Sequence, residues 1–153
     1  MPDTDPLGGD LQLASRFLLE IDNVEIGVFK SVSGLSVSVT TEDISEGGEN
    51  EFVHKLPGRL TWPNLVFKRG VTDGDALFDW IRQASGEGFA SNNNKVARHS
   101  GAVTVVDNNG TRLRSWVIDD ALPVRWSGPT FDSESNASLE EELEVAHHGM
   151  HVR

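Results

Sequence analysis

Three histidines near the end of the chain have the residue type and the close spacing that a metal site needs: His147, His148 and His151. Zinc in proteins usually takes two ligands from one element and another from a distant element, with carboxylates that orient the imidazoles. These histidines instead follow one another in the last segment, where a chain frays. We therefore interpret them as surface residues and predict no metal site.

A run of glutamates precedes the histidines: Glu140, Glu141, Glu142 and Glu144. Two carboxylates can act as an acid and a base in glycoside or phosphate chemistry, provided that their surroundings separate their pKa values. Contiguous carboxylates more often form a solvated face, and the sequence marks no buried partner that would separate these pKa values. The run is therefore interpreted as a charged surface.

Two glycine-containing segments, EGGEN at 46–50 and SGEGF at 85–89, lack the spacing that cradles a phosphate, and no Gly-Lys-Ser/Thr follows them. The chain has no cysteine, which excludes a thiol nucleophile and a disulfide framework, and its serines lack a GxSxG elbow. From these motifs we predict that the protein is not an enzyme and binds no cofactor.

The charge of the chain is strongly acidic and unevenly placed. Its 153 residues fit a single domain and carry a formal net charge of −11. This charge opposes stable binding to nucleic acid and docking on an anionic membrane. Residues 1–60 contribute −7, residues 61–131 contribute +1 and residues 132–153 contribute −5. Such a division favours head-to-tail contacts between copies, although a solubilising acidic surface would give the same pattern.

The chain opens with MPDTDPLGGD, which is acidic and punctuated by Pro and Gly. We predict a flexible N-terminal arm over residues 1–14 and one domain over 15–153. The arm lacks the basic and apolar regions of a signal peptide, and the longest apolar runs are far shorter than the ~20 residues of a membrane span. The expectation is synthesis in the cytoplasm without membrane insertion.

Alternation with period two predicts that most of the domain is strand. RFLLEIDNVEIGVF predicts a hairpin that turns at Asp22 and Asn23, and LSVSVT at 35–40 predicts another strand. GAVTVVD and TRLRSWVI predict a second hairpin across an Asn-Gly pair. The next segment, LPVRWSGPTF, contains two prolines, so it is at best an edge strand or a bent strand.

One segment predicts a helix, over residues 73–84. Leu77, Trp80 and Ile81 recur at helical spacing, so one face is apolar and should pack against the sheet. Residues 41–61 are instead rich in Gly, Pro and polar residues and predict an extended hairpin arm. The last segment, SLEEELEVAHHGM, fits both a helix and a strand, and propensity alone favours the helix.

Several segments, taken in order, resemble the inner tube proteins of contractile phage tails and of extracellular contractile injection systems. They are FLLEIDNVEIGVFKSVSGLS, the stretch EDISEGGENEFVHKLPGRLTWPNLVFKRGVTDGDALFDWI, the progression WSGP near residue 128, and SNASLEEELEVAHHGM. The resemblance runs from about residue 15 to 150. The order of the motifs makes it more specific than any single motif.

The resemblance implies a mostly β fold, a small antiparallel β-barrel or sandwich with one flanking helix. It implies a structural subunit that assembles with itself into hexameric rings, which stack into a hollow tube inside a sheath. Baseplate and tube-terminator proteins would be further partners, and cargo would occupy the lumen. A tube-initiator or baseplate paralogue and a type VI secretion ring protein are the alternatives. The sequence leaves open whether the particle is released or stays in the cytoplasm.

The resemblance also directs attention to particular residues. In the family the last segment is a strand, so Glu140, Glu142 and Glu144 should share one face, and we expect them to line an acidic lumen. Ring stacking needs a heterologous contact, for which we predict the arm, through Glu46, Gly47, Gly48, Glu49, Asn50 and Lys55. The acids of the arm are expected to meet arginines of the next copy, with Arg112, Arg114 and Arg125 as candidates.

Overall fold

A computed structural model describes residues 16–44, 47–48, 53–86, 90, 93, 98–134 and 139–153. The predicted N-terminal arm lies outside the described residues. Within them the chain forms ten strands and one helix, α1 at Ala76–Ala84. The strands are β1 Arg16–Ile21, β2 Val24–Phe29, β3 Ser31–Ser33, β4 Ser38–Ile44, β5 His54–Thr61, β6 Leu65–Gly70, β7 His99–Val106, β8 Arg112–Ser127, β9 Glu140–Ala146 and β10 Met150–Val152.

Eight of these strands form one antiparallel sheet in which the long strand β8 belongs to two parts. The strand order is β2-β1-β7-β8-β9-β6-β3, and β10 also pairs with β8. The first part, with β7 and β10, pairs with β8 almost entirely before its residue Asp120, where the backbone is left-handed (φ 52°); beyond it only His99 of β7 pairs, with Ala121. Beyond this point β8 pairs with β9. The part of β8 that pairs with β9 runs over residues 122–127. We call this part of β8, together with β3, β6 and β9, the second half-sheet.

The predicted fold class is confirmed: the chain is mostly β, antiparallel, with one helix on its flank. The described strands do not close the sheet into a barrel. The first predicted hairpin is present, because Asp22 (φ 49°) and Asn23 (φ 65°) adopt the left-handed conformation that a tight type I′ turn requires. The last segment is a strand, so alternation prevails over its helical propensity.

Two boundaries differ from the sequence expectation. Helix α1 begins at Ala76 instead of 73, since the Thr72 hydroxyl accepts a hydrogen bond from the Gly74 N–H (3.2 Å) and holds the chain in a turn. The strand predicted over 35–40 starts only at Ser38. The bend before it follows Gly34, whose left-handed backbone (φ 91°) lies so close to Asn64 that a Cβ would meet its carbonyl oxygen at 2.2 Å.

The core lies between the inward faces of the sheet and helix α1. The helix contributes Leu77 and Trp80, both almost fully buried. The strands contribute Leu19, Phe29, Leu65, Phe67, Val103, Ile118, Leu143 and Val145, each at most 2% exposed. Among the described residues, no helix is long and apolar enough to cross a membrane.

One ion pair is buried beside this core. Arg69 Nε lies 3.0 Å from Glu141 Oε2, with both side chains less than 10% exposed, and the guanidinium carbon sits 5.1 Å from the centre of the Phe29 ring. A side chain at Gly27 would obstruct this arrangement, because its Cβ would lie 2.4 Å from Arg69 Nη1. The pair joins β6 to β9 from the inward side of the second half-sheet.

Replacing Glu141 by Gln should lower the free energy of unfolding by about 3–5 kcal/mol, because it leaves the buried guanidinium without a counter-charge. Chemical denaturation of the folded chain measures this change. The control is Glu142→Gln, which removes a more exposed carboxylate from the same strand and should cost less than about 1 kcal/mol. Equal costs for the two variants would contradict the assignment.

Candidate functional site

Strand β9 presents three carboxylates on one face of the second half-sheet. Its side chains alternate, so Leu143 and Val145 point into the core. Glu140, Glu142 and Glu144 lie on the opposite, partly exposed face. We call these three residues the carboxylate row. The predicted shared face is therefore present, while Glu141 belongs to the inward side.

Three cations flank the carboxylate row, two on the β6 side and one on the β8 side. On the β6 side, Lys30 contacts Glu140, and Lys68 Nζ lies 3.7 Å from Glu142 Oε2. On the β8 side, Arg125 bridges two carboxylates: its Nη2 is 2.5 Å from Glu142 Oε1 and its Nε is 3.1 Å from Glu144 Oε2. The pairing register places these groups, since Lys68 is opposite Glu142 and Arg125 is opposite Glu144.

A neutral side chain completes the row. The Asn64 side-chain amide donates to Glu144 Oε1 at 2.9 Å. Hydrogen bonding to the charged form of a carboxylate favours that form. The pKa of Glu144 is accordingly lowered, first by Asn64 and then by Arg125, and the pKa of Glu140 is lowered by its hydrogen bond from Lys30. In return, the hydrogen bond to Glu144 raises the pKa of Arg125.

The predicted arm forms a two-stranded ribbon, β4 with β5, separate from the main sheet. Every residue of both strands is exposed, and the two strands pack substantially only against each other. Lys55 lies on β5 opposite Asp43, and Gly47 and Gly48 are exposed. Of the other arm residues named from the sequence, Glu46, Glu49 and Asn50 lie outside the described part of the chain.

The surface of this ribbon is unusually apolar for an exposed element. Its exposed large apolar side chains are Val39, Ile44, Leu56 and Leu60, each at least 40% accessible. A lone two-stranded ribbon is at best marginally stable in water. The ribbon therefore has the character of a surface that another polypeptide covers.

The three candidate arginines do not form one site. Arg112 Nη2 is 2.7 Å from Glu20 Oε1, and the Arg114 guanidinium carbon lies 5.5 Å from the centre of the Trp116 ring, both at the start of β8. Arg125 lies at the other end of the strand, where it is engaged by the carboxylate row. Arg114 makes no ion pair with a described residue.

The interpretation of the histidines needs one correction: His147 is buried, not a surface residue. The alternation of β9 continues to place it inward, next to Trp62. Its Nδ1 accepts from the Gly149 N–H (3.1 Å), so Nε2 carries the proton and donates to the Pro63 carbonyl (3.0 Å). His148 and His151 are exposed and face Asp120 (3.0 Å) and Asp119 (3.6 Å), respectively. Within the described residues no cluster of three potential metal ligands is found.

Sequence reasoning missed the partners of the carboxylate row, which are Lys30, Lys68 and Asn64. Lys30 is 110 residues from Glu140, and Asn64 is 80 residues from Glu144. The one usable signal was alternation in LVFKRG, which places Lys68 and Arg69 on opposite faces of β6. Without the register between β6 and β9, the alternation does not identify which carboxylate each side chain contacts.

Comparison with known proteins gives both a family and similar structures. The family model described as T4-like virus tail tube protein gp19 matches residues 13–151. None of the curated proteins matches the sequence significantly.

Among solved structures, a chain from the PVC sheath-tube complex of an extracellular contractile injection system in the extended state is 27% identical, with a TM-score of 0.71, over 90% of this chain and 88% of that chain. A chain from the PVC sheath/tube terminator is 28% identical, with a TM-score of 0.70, over 90% and 93%. A chain from the anti-feeding prophage baseplate has a TM-score of 0.71 over 95% of both chains, and at 22% identity it shows likeness of fold alone.

The carboxylate row makes a prediction about pH. The folded-state pKa values of Glu140 and Glu144 lie below the ordinary value of 4.5, so their ion pairs stabilise the fold above that value. This stabilisation disappears as pH falls through the lowered values. The double variant Glu140→Gln and Glu144→Gln should therefore unfold more easily than wild type at neutral pH, and the difference should shrink as the pH falls through the lowered pKa values. Urea unfolding at neutral pH and at a series of acidic pH values measures it, and a difference that persists unchanged in acid would contradict the prediction.

Proposed function

The chain belongs to the T4-like virus tail tube protein gp19 family, and on that premise we propose that it is the structural subunit of the inner tube of a contractile, phage-tail-like injection particle. In this proposal the chain assembles into hexameric rings, which stack into a hollow tube inside a sheath and deliver cargo. The role is structural and not enzymatic. The particle, in the cytoplasm or released from it, contains this subunit together with sheath, baseplate and tube-terminator proteins.

The observation that carries the proposal is the pair of open edges of the second half-sheet. Among the described strands, β3 pairs only with β6, and the second half of β8 pairs only with β9. Open strand edges invite pairing with another chain unless a defined neighbour covers them. In a ring, β3 of one copy would pair with β8 of the next copy, so that both open edges of the second half-sheet are covered.

The dimensions of such a ring suit a tube. Each copy would contribute the four strands of its second half-sheet, and six copies would give a continuous wall of 24 strands. At a strand spacing of about 4.8 Å, the backbones of that wall would enclose a cylinder roughly 37 Å across, and strand tilt would widen it further. The carboxylate row would then face the lumen, because the opposite face of the half-sheet is occupied by the core and helix α1.

The ribbon of β4 and β5 is the proposed contact between rings. It exposes four large apolar side chains and both of its edges, and no described residue of its own chain covers either set. A contact of this kind is heterologous, since it joins one surface to a different surface of the next copy and propagates as an open filament. On the receiving copy we propose Arg114, which has no ion pair among the described residues, as the first partner for the acids of the arm, with Arg112 beside it. Arg125 is already bound by the carboxylate row of its own chain.

A subunit at the end of a tube is the second candidate function. It is favoured by the match to a chain from a sheath/tube terminator. A tube-end subunit forms single rings, whereas a tube subunit continues to stack. The length of the assemblies made by the purified chain therefore separates the two candidates.

Deleting residues 44–52 should abolish long tubes and leave folded monomers or single rings, because it removes the tip of the ribbon. Val39→Ser with Leu60→Ser should have the same effect without shortening the chain, since it removes paired apolar side chains from the ribbon. Electron microscopy and sedimentation measure the assemblies. The control is Val24→Ser, which changes an exposed valine at the turn between β1 and β2 and should leave tubes intact. Tubes of normal length from either ribbon variant would contradict its role in stacking.

Cysteine cross-linking tests the pairing of β3 with β8, because the chain has no cysteine of its own. The double variants Ser33→Cys with Ser127→Cys, and Ser31→Cys with Ser127→Cys, should give oxidised ladders up to a hexamer on a non-reducing gel. Disulfides form only when the Cα atoms lie within about 7 Å, so at most one of the two registers should react efficiently.

The control for cross-linking replaces the β3 cysteine by one on the other open edge of the sheet, Val28→Cys on β2 with Ser127→Cys. This pair should not form a ladder. A ladder from the control and none from either β3 pair would show that another edge closes the ring.

A further inference from the structure

We infer that the wall formed by this chain is charge-balanced and not acidic, so that the tube passes polypeptide cargo of either net charge. This inference rests on the proposed function, because it assumes that the second half-sheet lines the lumen. It replaces the expectation from the sequence that Glu140, Glu142 and Glu144 make the lumen acidic.

The first observation is the balance of charges on the face itself. Three carboxylates are present, and three cations contact them: Lys30, Lys68 and Arg125. The remaining outward residues of the described half-sheet are uncharged, among them Ser31, Ser33, Val66 and Ser127. The described face therefore has a formal charge of zero, although the sequence of β9 alone suggests −3.

The second observation is where the net charge of the protein lies. The chain has 24 acidic and 13 basic residues. Since the face uses three of each, the whole net charge of −11 belongs to other parts of the chain. A strongly acidic protein that is neutral on one face does not present its average charge to a molecule in contact with that face.

The electrostatic field of the face decays over a short distance. Each carboxylate has a cation within 4 Å, and the pattern repeats from strand to strand, at about 4.8 Å. The fields of closely alternating charges cancel over a distance comparable with their spacing, and salt screens what remains within a Debye length of about 8 Å. In a lumen with a radius of roughly 18 Å to the backbones, about a third of the cross-section lies farther than this distance from the wall, and cargo there meets almost no field from the face.

The balance depends on single residues, which makes it testable. Arg125 is the cation that contacts two carboxylates, so Arg125→Gln should turn the wall acidic by one charge per copy and six per ring. Glu142→Gln should turn it basic by the same amount. The exposed pair Arg82 and Asp79 on helix α1 provides matched controls on the other side of the second half-sheet, with Arg82 Nη2 at 2.5 Å from Asp79 Oδ1.

The experiment compares tubes assembled from wild type, Arg125→Gln, Glu142→Gln, Arg82→Gln and Asp79→Asn. Dye-labelled oligolysine and oligoglutamate are incubated with each, and the peptide that sediments with the tubes is measured at low and high salt. We expect Arg125→Gln tubes to retain about tenfold more oligolysine than wild type at low salt, the lower range of focusing by a charged cleft. Glu142→Gln tubes should likewise retain about tenfold more oligoglutamate than wild-type tubes at low salt. The controls should stay within about twofold of wild type, because their charge lies outside the lumen.

Two results would overturn the inference. One is equal retention by Arg125→Gln and Arg82→Gln, which would show that the position of the charge is irrelevant. The other is wild-type retention of oligolysine as strong as that of Arg125→Gln, which would show that the wall is already acidic. If Arg125→Gln does not assemble, Lys68→Gln removes a different cation from the same face. The same two results, measured with Lys68→Gln tubes, would then overturn the inference. Failure of the wild-type chain to form any tube is distinct from both, since it would reject the proposed function itself.

Discussion

The structure depends on the position of β9 between β6 and β8. This strand pairs with both neighbours, and its period-two alternation divides its side chains into two sets. The inward set supplies Leu143 and Val145 to the core and Glu141 to the buried pair with Arg69. The outward set forms the carboxylate row. A shift of one residue in this pairing would bury the row and expose the core residues, so the register is fixed by the cost of burying three charges.

The same register connects distant parts of the sequence. Lys30 and Glu140 are 110 residues apart, and Arg69 and Glu141 are 72 residues apart, yet both contacts follow from the neighbours of β9 in the sheet. The two ion pairs differ in their physical role. The buried pair holds the sheet because either partner alone would be an uncompensated charge in the core. The exposed pairs contribute little to stability, and their main effect is to neutralise the face.

Local patterns made part of this structure predictable. The turn at Asp22 and Asn23, the apolar face of α1 and the polar composition of residues 41–61 each contain their own signal, since short-range geometry decides the outcome. The strand β9 was ambiguous from its residues, because glutamate and leucine favour a helix, and only the resemblance to a family resolved it. Burial of His147 and the partners of the carboxylate row were missed. Both depend on strand register, which is set by long-range packing and is not encoded within one segment.

The ribbon of β4 and β5 and the open edges of the second half-sheet have a common explanation in assembly. A monomer that exposes Leu56, Leu60 and the two edges of the second half-sheet, which no described strand covers, carries surfaces that favour association. In the proposed tube, edge pairing would close on itself and the ribbon contact would repeat along an axis, so one kind of chain would suffice. The carboxylate row would take part in neither contact, which would leave it free to face the lumen.

Electron microscopy of the purified wild-type chain at increasing concentration tests the central claim most directly. The account predicts hollow rings with six-fold symmetry that stack into tubes of uniform width, with the 24-stranded wall resolved as a continuous sheet around the lumen. A chain that remains a compact monomer at high concentration, or a tube whose lumen is lined by a face other than that of the carboxylate row, would contradict it.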